Sequence, residues 1–172
     1  MPKWYGGSTL NPDELIPSNK QWVLQWERVK RWYNQVLEIE QKSLKQELNS
    51  YDIDIIIAFF QNSYHMRDWL LASDPELKPK LDNLFQSSFE MGACRDICNG
   101  FKHKSYKKPT HDPDFNLYRE YDHFEIEGVS PAKYRIVFAD GTDDIREFDL
   151  FELVATIYQI LQDFLDKEEL VG

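Results

Sequence analysis

The chain has 172 residues, of which 42% are hydrophobic and 15% aromatic, and its net charge is −10. The length suits one domain with a packed core, and the aromatic content argues against a disordered chain. The acidic balance excludes general attraction to nucleic acid or anionic membranes unless a local basic patch supplies it. No signal peptide opens the chain and no apolar run is long enough to span a bilayer, so a soluble, cytoplasmic protein without membrane contact is expected.

The N-terminal part predicts an extended arm followed by a long helix. Glycines and prolines interrupt residues 1–17, and a single domain is expected over 18–172. A first amphipathic helix is predicted from a cap at Ser18 or Asn19 to about Leu48. Its apolar residues recur in steps of three and four, which favours a core stripe over an exposed partner surface. The predicted stripe consists of Trp22, Trp26, Val29, Tyr33, Val36, Leu37, Leu44 and Leu48.

Three more helices are expected to complete a bundle over 18–108. The second runs roughly from Ile53 to Ala72 with Asp52 as its cap, because its apolar spacing continues beyond the length of a strand. The third begins at Ser73-Asp74-Pro75-Glu76, where a proline stands at an early helical position, and ends near Phe89. Gly92 is expected either to bend this helix or to separate it from the fourth helix.

The C-terminal part predicts strands and a closing helix. Alternating apolar residues and the Asp140-Gly141 hairpin signal predict a three-stranded antiparallel meander over 115–148. Ile145 is expected to pair with Ile136 or Phe138 and so to share their apolar face. Asp149 is the predicted cap of a closing helix over 149–168. The predicted fold class is therefore α+β: a mainly helical four-helix bundle, the meander and a C-terminal helix.

The chain turns basic between residues 95 and 108, where five cationic residues stand against Asp96 alone. On the predicted fourth helix, Arg95, Asn99 and Lys102 form a polar stripe with His103 beside it. The basic residues that continue this patch are Lys104, Lys107 and Lys108. Next to the polar stripe runs an apolar one made of Met91, Cys94, Ile97, Cys98 and Phe101.

A second polar cluster lies on the second helix, where His65 and Asp68 are three residues apart and therefore neighbours, with Asn62 nearby. Histidine can transfer protons near neutral pH, and arginine binds phosphate with a fork of donors. Together these residue types fit either metal-free cleavage of a phosphodiester or simple phosphate binding. No cofactor is expected.

Three alternatives remain open from the residues alone. The polar groups can form a satisfied structural network, since polar groups inside bundle helices are costly unless paired. His65, Asp68 and His103 can be considered as metal ligands, as can His111 with its neighbouring aspartates. The two cysteines are expected to be buried thiols, and a metal or redox role for them would need further ligands at suitable spacing.

The run from Phe59 to Trp69, Phe-Phe-Gln-Asn-Ser-Tyr-His-Met-Arg-Asp-Trp, and the run from Cys94 to His103, Cys-Arg-Asp-Ile-Cys-Asn-Gly-Phe-Lys-His, resemble small bacterial and phage proteins near the HEPN helical-bundle superfamily. The resemblance covers roughly residues 50 to 105. It implies a homodimeric, metal-independent endoribonuclease of a toxin or antiviral system, acting on single-stranded RNA.

The resemblance also implies roles for the polar residues. His103 would be the general acid or base, Arg95 and Lys102 would hold the scissile phosphate, and Asn99 would orient it. His65, Asp68 and Asp96 would contact and orient these groups without touching the RNA themselves. The interval between Arg95 and His103 is longer than in the family's motif, so a non-catalytic protein-interaction module with a protein partner is kept as the alternative.

Overall fold

The computed structural model describes residues 17–102, 123–129, 133–139 and 145–170. Within these ranges the chain forms five α-helices and one three-stranded antiparallel sheet in the order β1-β2-β3, which confirms the α+β prediction. The predicted N-terminal arm lies outside the described residues except for Pro17. The elements are α1 (Trp22–Ser43), α2 (Ser50–Ser73), α3 (Lys78–Ser87), α4 (Phe89–Lys102), β1 (His123–Val129), β2 (Lys133–Ala139), β3 (Ile145–Asp149) and α5 (Leu150–Lys167), with short 3-10 helices at Ser18–Lys20 and Pro75–Leu77.

The connection between α1 and α2 differs from the prediction because a capping box fixes the start of α2. The Asn49 side chain accepts from the Asp52 backbone N–H at 3.0 Å, and the Asp52 carboxylate accepts from the Asn49 N–H at 2.9 Å. Asn49 is therefore the cap, three residues before the predicted one, and α1 ends at Ser43 rather than near Leu48.

The starts of α1 and α4 also correct the prediction. Ser18 and Asn19 lie in a 3-10 helix, and Gln21 precedes α1 without a side-chain cap. The break between α3 and α4 falls at Ser88, whose hydroxyl accepts from the Met91 N–H at 3.2 Å. Gly92, the predicted break, is buried inside α4. A hydroxyl that satisfies the first free N–H groups of a helix determines its start more strongly than a glycine interrupts it.

The sheet keeps the predicted meander but changes the register of β3. Ile126 pairs with Ile136, as the alternation indicates. Ile145, however, pairs with Ala139, which places Phe148 opposite Ile136. Five residues connect Ala139 to Ile145, whereas the prediction assumed a loop of two or four residues. Because side chains alternate between the two faces of a strand, the odd number places Ile145 on the face opposite to the predicted one.

One contiguous hydrophobic core joins all five helices to β2. Trp26 is 4% exposed and stacks on Tyr158 of α5, with 5.2 Å between ring centroids, and Tyr158 stacks on Tyr33 at 4.0 Å. Most of the predicted stripe is thus core, but Leu37 and Leu44 are 38% and 66% exposed. Leu37 lies on a flank of α1 that turns toward solvent, and Leu44 directly follows the last residue of the helix.

The bundle has an end next to the sheet and an opposite end, which we call the distal end. The Leu48 N–H donates to the Tyr134 hydroxyl at 2.9 Å, and Phe89 stacks on Phe148 at 4.7 Å, so the α1–α2 connection and the start of α4 lie beside the sheet. The start of α1 and the ends of α2 and α4 therefore lie together at the distal end. Among the described residues, no helix combines the length and the apolar character that crossing a membrane requires.

Candidate functional site

The candidate site is built on α4, which packs along α2. The Cys94 thiol approaches the Phe60 carbonyl oxygen at 3.3 Å. One turn further along both helices, Tyr64 lies within electrostatic range of Cys98, so the two helices run parallel. Met91, Cys94, Ile97 and Cys98 are at most 1% exposed, as the apolar stripe predicts. This packing leaves Arg95 and Asn99, one turn apart, at a half-buried edge of α4.

Arg95 forms an ion pair within its own helix. Its Nε donates to the Asp96 carboxylate at 3.1 Å, and the two side chains are 17% and 14% exposed. An ion pair with so little exposure to solvent is screened far less than a surface ion pair. The negative charge of Asp96 therefore offsets part of the positive charge that Arg95 would offer to a phosphate. Asp96, expected to support the site, is thus in direct contact with its central arginine.

Tyr64 brings the polar residues of α2 and α4 into one environment. Its ring packs edge-on against Phe85 with centroids 5.7 Å apart. Burial raises the pKa of Tyr64, while the positive charges of Arg67 and Arg95 act in the opposite direction. The half-buried Tyr64 phenol is therefore influenced electrostatically by an arginine of α2 and by an arginine of α4.

The contacts of α2 that the structure describes here centre on Arg67, and the His65–Asp68 pair stays a prediction. Arg67 Nη2 donates to the Asp82 carboxylate of α3 at 2.8 Å, and Asp68, whose side chain is 67% exposed, lies 3.7 Å from Arg67 Nη1. His65 is half-buried beside Tyr64. Asp82 makes the closer contact with Arg67, and its carboxylate also meets Lys78 of α3 at 2.5 Å.

Several predicted site residues lie outside the described residues: His103, Lys104, Lys107 and Lys108. Lys102 is the last residue of α4, so the basic segment continues from the distal end of the bundle. The structure therefore fixes where this segment begins, and the roles of His103, Lys104, Lys107 and Lys108 stay predictions.

The sequence pattern did not indicate a polar network between α1 and α2. Gln25 is 2% exposed, and its Nε2 donates to the Asn62 carbonyl oxygen at 2.8 Å and to Asn62 Oδ1 at 3.2 Å. Arg28 Nη1 donates to Gln25 Oε1 at 3.0 Å. The Arg28 guanidinium carbon lies 5.1 Å from the centre of the Trp69 ring. The sequence feature that could have indicated this network is Gln25, a polar residue directly before Trp26 in a largely apolar stretch.

The cysteines and acidic clusters give no sign of a metal or redox centre in the described ranges. Both cysteines are buried, and burial raises the pKa of the Cys94 thiol well above its ordinary value, which makes it a poor nucleophile and ligand. In the part of the chain that the structure describes, no three His, Cys, Asp or Glu side chains are grouped to hold a metal. The ligand set with His103 falls outside that part.

The acidic end of α5 has a partner within the chain. Glu168, whose side chain is only 11% exposed, forms an ion pair with Lys80 of α3. Asp163 and Asp166 accept hydrogen bonds from glutamines one turn earlier in the same helix. These contacts compensate for negative charge at a helix C-terminus, where the helix dipole disfavours it.

Comparison of the chain with protein-family models, with curated proteins and with solved structures finds no match.

Proposed function

We propose that this protein is a HEPN-like RNA-directed protein that binds single-stranded RNA through the end of α4 and the basic segment after it. One observation supports this most directly. Packing of Cys94 and Cys98 into the core leaves Arg95 and Asn99 together at the edge of α4, on the way to the basic segment that begins at Lys102. Guanidinium and ammonium donors in sequence along a segment suit successive phosphates.

In this proposal the protein is a metal-independent endoribonuclease of a toxin or antiviral system and works as a homodimer. Arg95 and Lys102 hold the scissile phosphate and Asn99 orients it. His103 transfers the proton between the attacking and leaving oxygens. His65, Asp68 and Asp96 position these groups, while Lys104, Lys107 and Lys108 bind neighbouring phosphates. Closed two-fold dimers are the commonest oligomers, and sedimentation at micromolar concentration tests this part.

The test of RNA binding is its salt dependence. Binding of a single-stranded oligonucleotide should weaken steeply with salt, with a log–log slope of about −2 to −4 for this few cations. Lys107→Ala with Lys108→Ala should weaken binding and flatten the slope. Lys45→Ala is the matched control, because this exposed lysine follows α1 at the sheet end of the bundle.

The test of cleavage uses variants that retain the fold. Arg95→Ala and His103→Ala should abolish cleavage with a small effect on the melting temperature, because groups that stabilise a transition state affect rate more than stability. Chelator should leave the rate unchanged, and loss of activity in chelator would instead indicate a metal enzyme.

The second candidate is a non-catalytic protein-interaction module, and the ion pair between Arg95 and Asp96 favours it. Two charged side chains less than a fifth exposed and in contact with each other fit a structural role. In that case Arg95→Ala should mainly lower the unfolding free energy, because it leaves Asp96 in a poorly solvated position. Wild-type protein should then bind no RNA at low salt.

A further inference from the structure

A stack of a cation on an aromatic ring joins α1 to α2 at the distal end, apart from the α4 site. The Arg28 guanidinium carbon lies 5.1 Å from the Trp69 ring centre, within the range of a cation–π interaction. Both residues are half-buried, as is Trp32 one turn after Arg28, and Arg31 between them is exposed. Planar groups thus lie along the first half of α1 and near the end of α2.

The arginine in this stack is held in place before any ligand arrives. Arg28 Nη1 donates to Gln25 Oε1 at 3.0 Å, and Gln25 in turn donates to Asn62 of α2. Gln25 is 2% exposed, so this support is part of the interior. A guanidinium that is already oriented loses less conformational entropy when a further planar group joins it.

Cationic residues gather on the α1 side of this surface although the chain is acidic. Residues 18–34 contain Lys20, Arg28, Lys30 and Arg31 against Glu27 alone, whereas on α2 the exposed Asp68 stands directly before Trp69. Glu27 is already paired with Lys30 at 2.5 Å. The start of α1 and the end of α2 share the distal end with the end of α4, which is the last described residue of the basic stretch.

We propose that Arg28 and Trp69 form a base-stacking platform for single-stranded RNA; this inference rests on the proposed RNA binding. Bases stack on aromatic rings and on guanidinium planes without strong sequence preference, and arginine adds a cation–π contribution. A nucleic-acid strand suits this surface better than an acidic protein segment. The carboxylates of such a segment would form ion pairs with the arginines but would have no planar group to stack on them. The basic segment then binds phosphates while the platform binds bases of the same strand.

The experiment compares two polyanions that differ in having bases: an oligouridylate and inorganic polyphosphate. Trp69→Leu retains an apolar side chain against the core but removes the ring. It should weaken oligouridylate binding on the order of tenfold and leave polyphosphate binding unchanged, while Trp69→Phe should retain most of the affinity. Tyr51→Leu is the matched control, since this tyrosine is 69% exposed and stands at the sheet end.

The outcomes separate this inference from the proposed function. If wild-type protein binds oligouridylate and Trp69→Leu binds it equally well, the platform is refuted while RNA binding stands. If Trp69→Leu weakens both polyanions equally and lowers the melting temperature, the stack is structural and the platform is again refuted. If wild-type protein binds polyphosphate but no oligouridylate, the platform and the proposed function both fail.

Discussion

Replacing Trp26 tests whether the aromatic stripe of α1 is core, as the structure has it, or a surface for a partner. Trp26 is 4% exposed and lies at the end of a ladder in which its ring stacks on Tyr158 and Tyr158 stacks on Tyr33. Trp26→Ala removes this ring from between α1 and α5. The adjacent Val29 is fully buried, so the cavity would have little freedom to collapse.

The expected loss follows from the burial. Truncating a buried tryptophan to alanine costs about 3 to 5 kcal/mol, and an aromatic stack contributes about 0.5 to 1.5 kcal/mol of such a loss. For a chain of this length, each kcal/mol lowers the melting temperature by about 2 to 4 °C. Trp26→Phe should lose much less, because a phenyl ring keeps part of the stack on Tyr158.

Urea unfolding measures this loss directly, since a lower midpoint at an unchanged slope reports stability rather than compactness. Leu44→Ala is the control in the same segment, because Leu44 is 66% exposed and a surface change should stay within about 0.5 kcal/mol. An unchanged midpoint in Trp26→Ala would show that the ring is not buried, and the packing of α1 on α5 would have to be abandoned.

Three further predictions concern a carboxylate, a helix end and a thiol. Burial by itself would raise the pKa of Asp52, but the hydrogen bond from the Asn49 N–H and the contact with Lys42 outweigh it, so the pKa is lowered on folding. The ionised Asp52 should contribute fully to the unfolding free energy above its ordinary pKa of about 3.9, and this contribution should be lost as the pH falls through the lower pKa of the folded state. Asp52→Asn should therefore flatten the acid side of a curve of unfolding free energy against pH. Glu169 has φ 55°, so Glu169→Gly should raise the unfolding free energy by about 0.5 to 1 kcal/mol, and a lower melting temperature would contradict this. Cys94 should react with a thiol reagent only as fast as the protein opens, which parallel measurements of labelling and hydrogen exchange can check.

The helices were predictable because their apolar residues repeat at helical spacing over several turns, and the strands because alternation and a turn signal agree. The register of β3 was not predictable in the same way. The register depends on the number of residues between Ala139 and Ile145. Adding or removing one residue there exchanges the two faces of β3. Packing of Phe148 on Phe89 of α4 and against Phe138 of β2 makes one face preferable.

Those features of the candidate site that depend on α4 alone could be predicted from the sequence. The buried and half-buried edges of α4 follow from its own periodicity, as Cys94 and Arg95 show. Pairing between helices could not be predicted from one helix alone, because Arg67 meets Asp82 of α3 in addition to Asp68 of its own helix. For the same reason the contact of Arg28 with Trp69, between residues far apart in the chain, left no local signal.

Asp96 can decide between the two candidate functions, because it forms an ion pair with Arg95. Asp96→Asn keeps the size of the side chain and an oxygen that can accept from Arg95 Nε, but removes its negative charge. If Arg95 binds phosphate, this change leaves its positive charge less compensated. RNA affinity should then rise, and one additional phosphate contact should steepen the salt slope by about 0.7.

If the pair is structural, the same change should act on stability alone. A hydrogen bond to a charged group is worth about 1.5 to 3 kcal/mol, and Asp96→Asn should lose part of this in urea unfolding while RNA binding stays absent. Arg95→Lys separates the two effects further, since lysine keeps the charge but not the planar fork. Stronger RNA binding by Asp96→Asn, reversed by adding Arg95→Ala, would exclude the purely structural role. Unchanged RNA affinity together with lower stability would exclude Arg95 as a phosphate ligand.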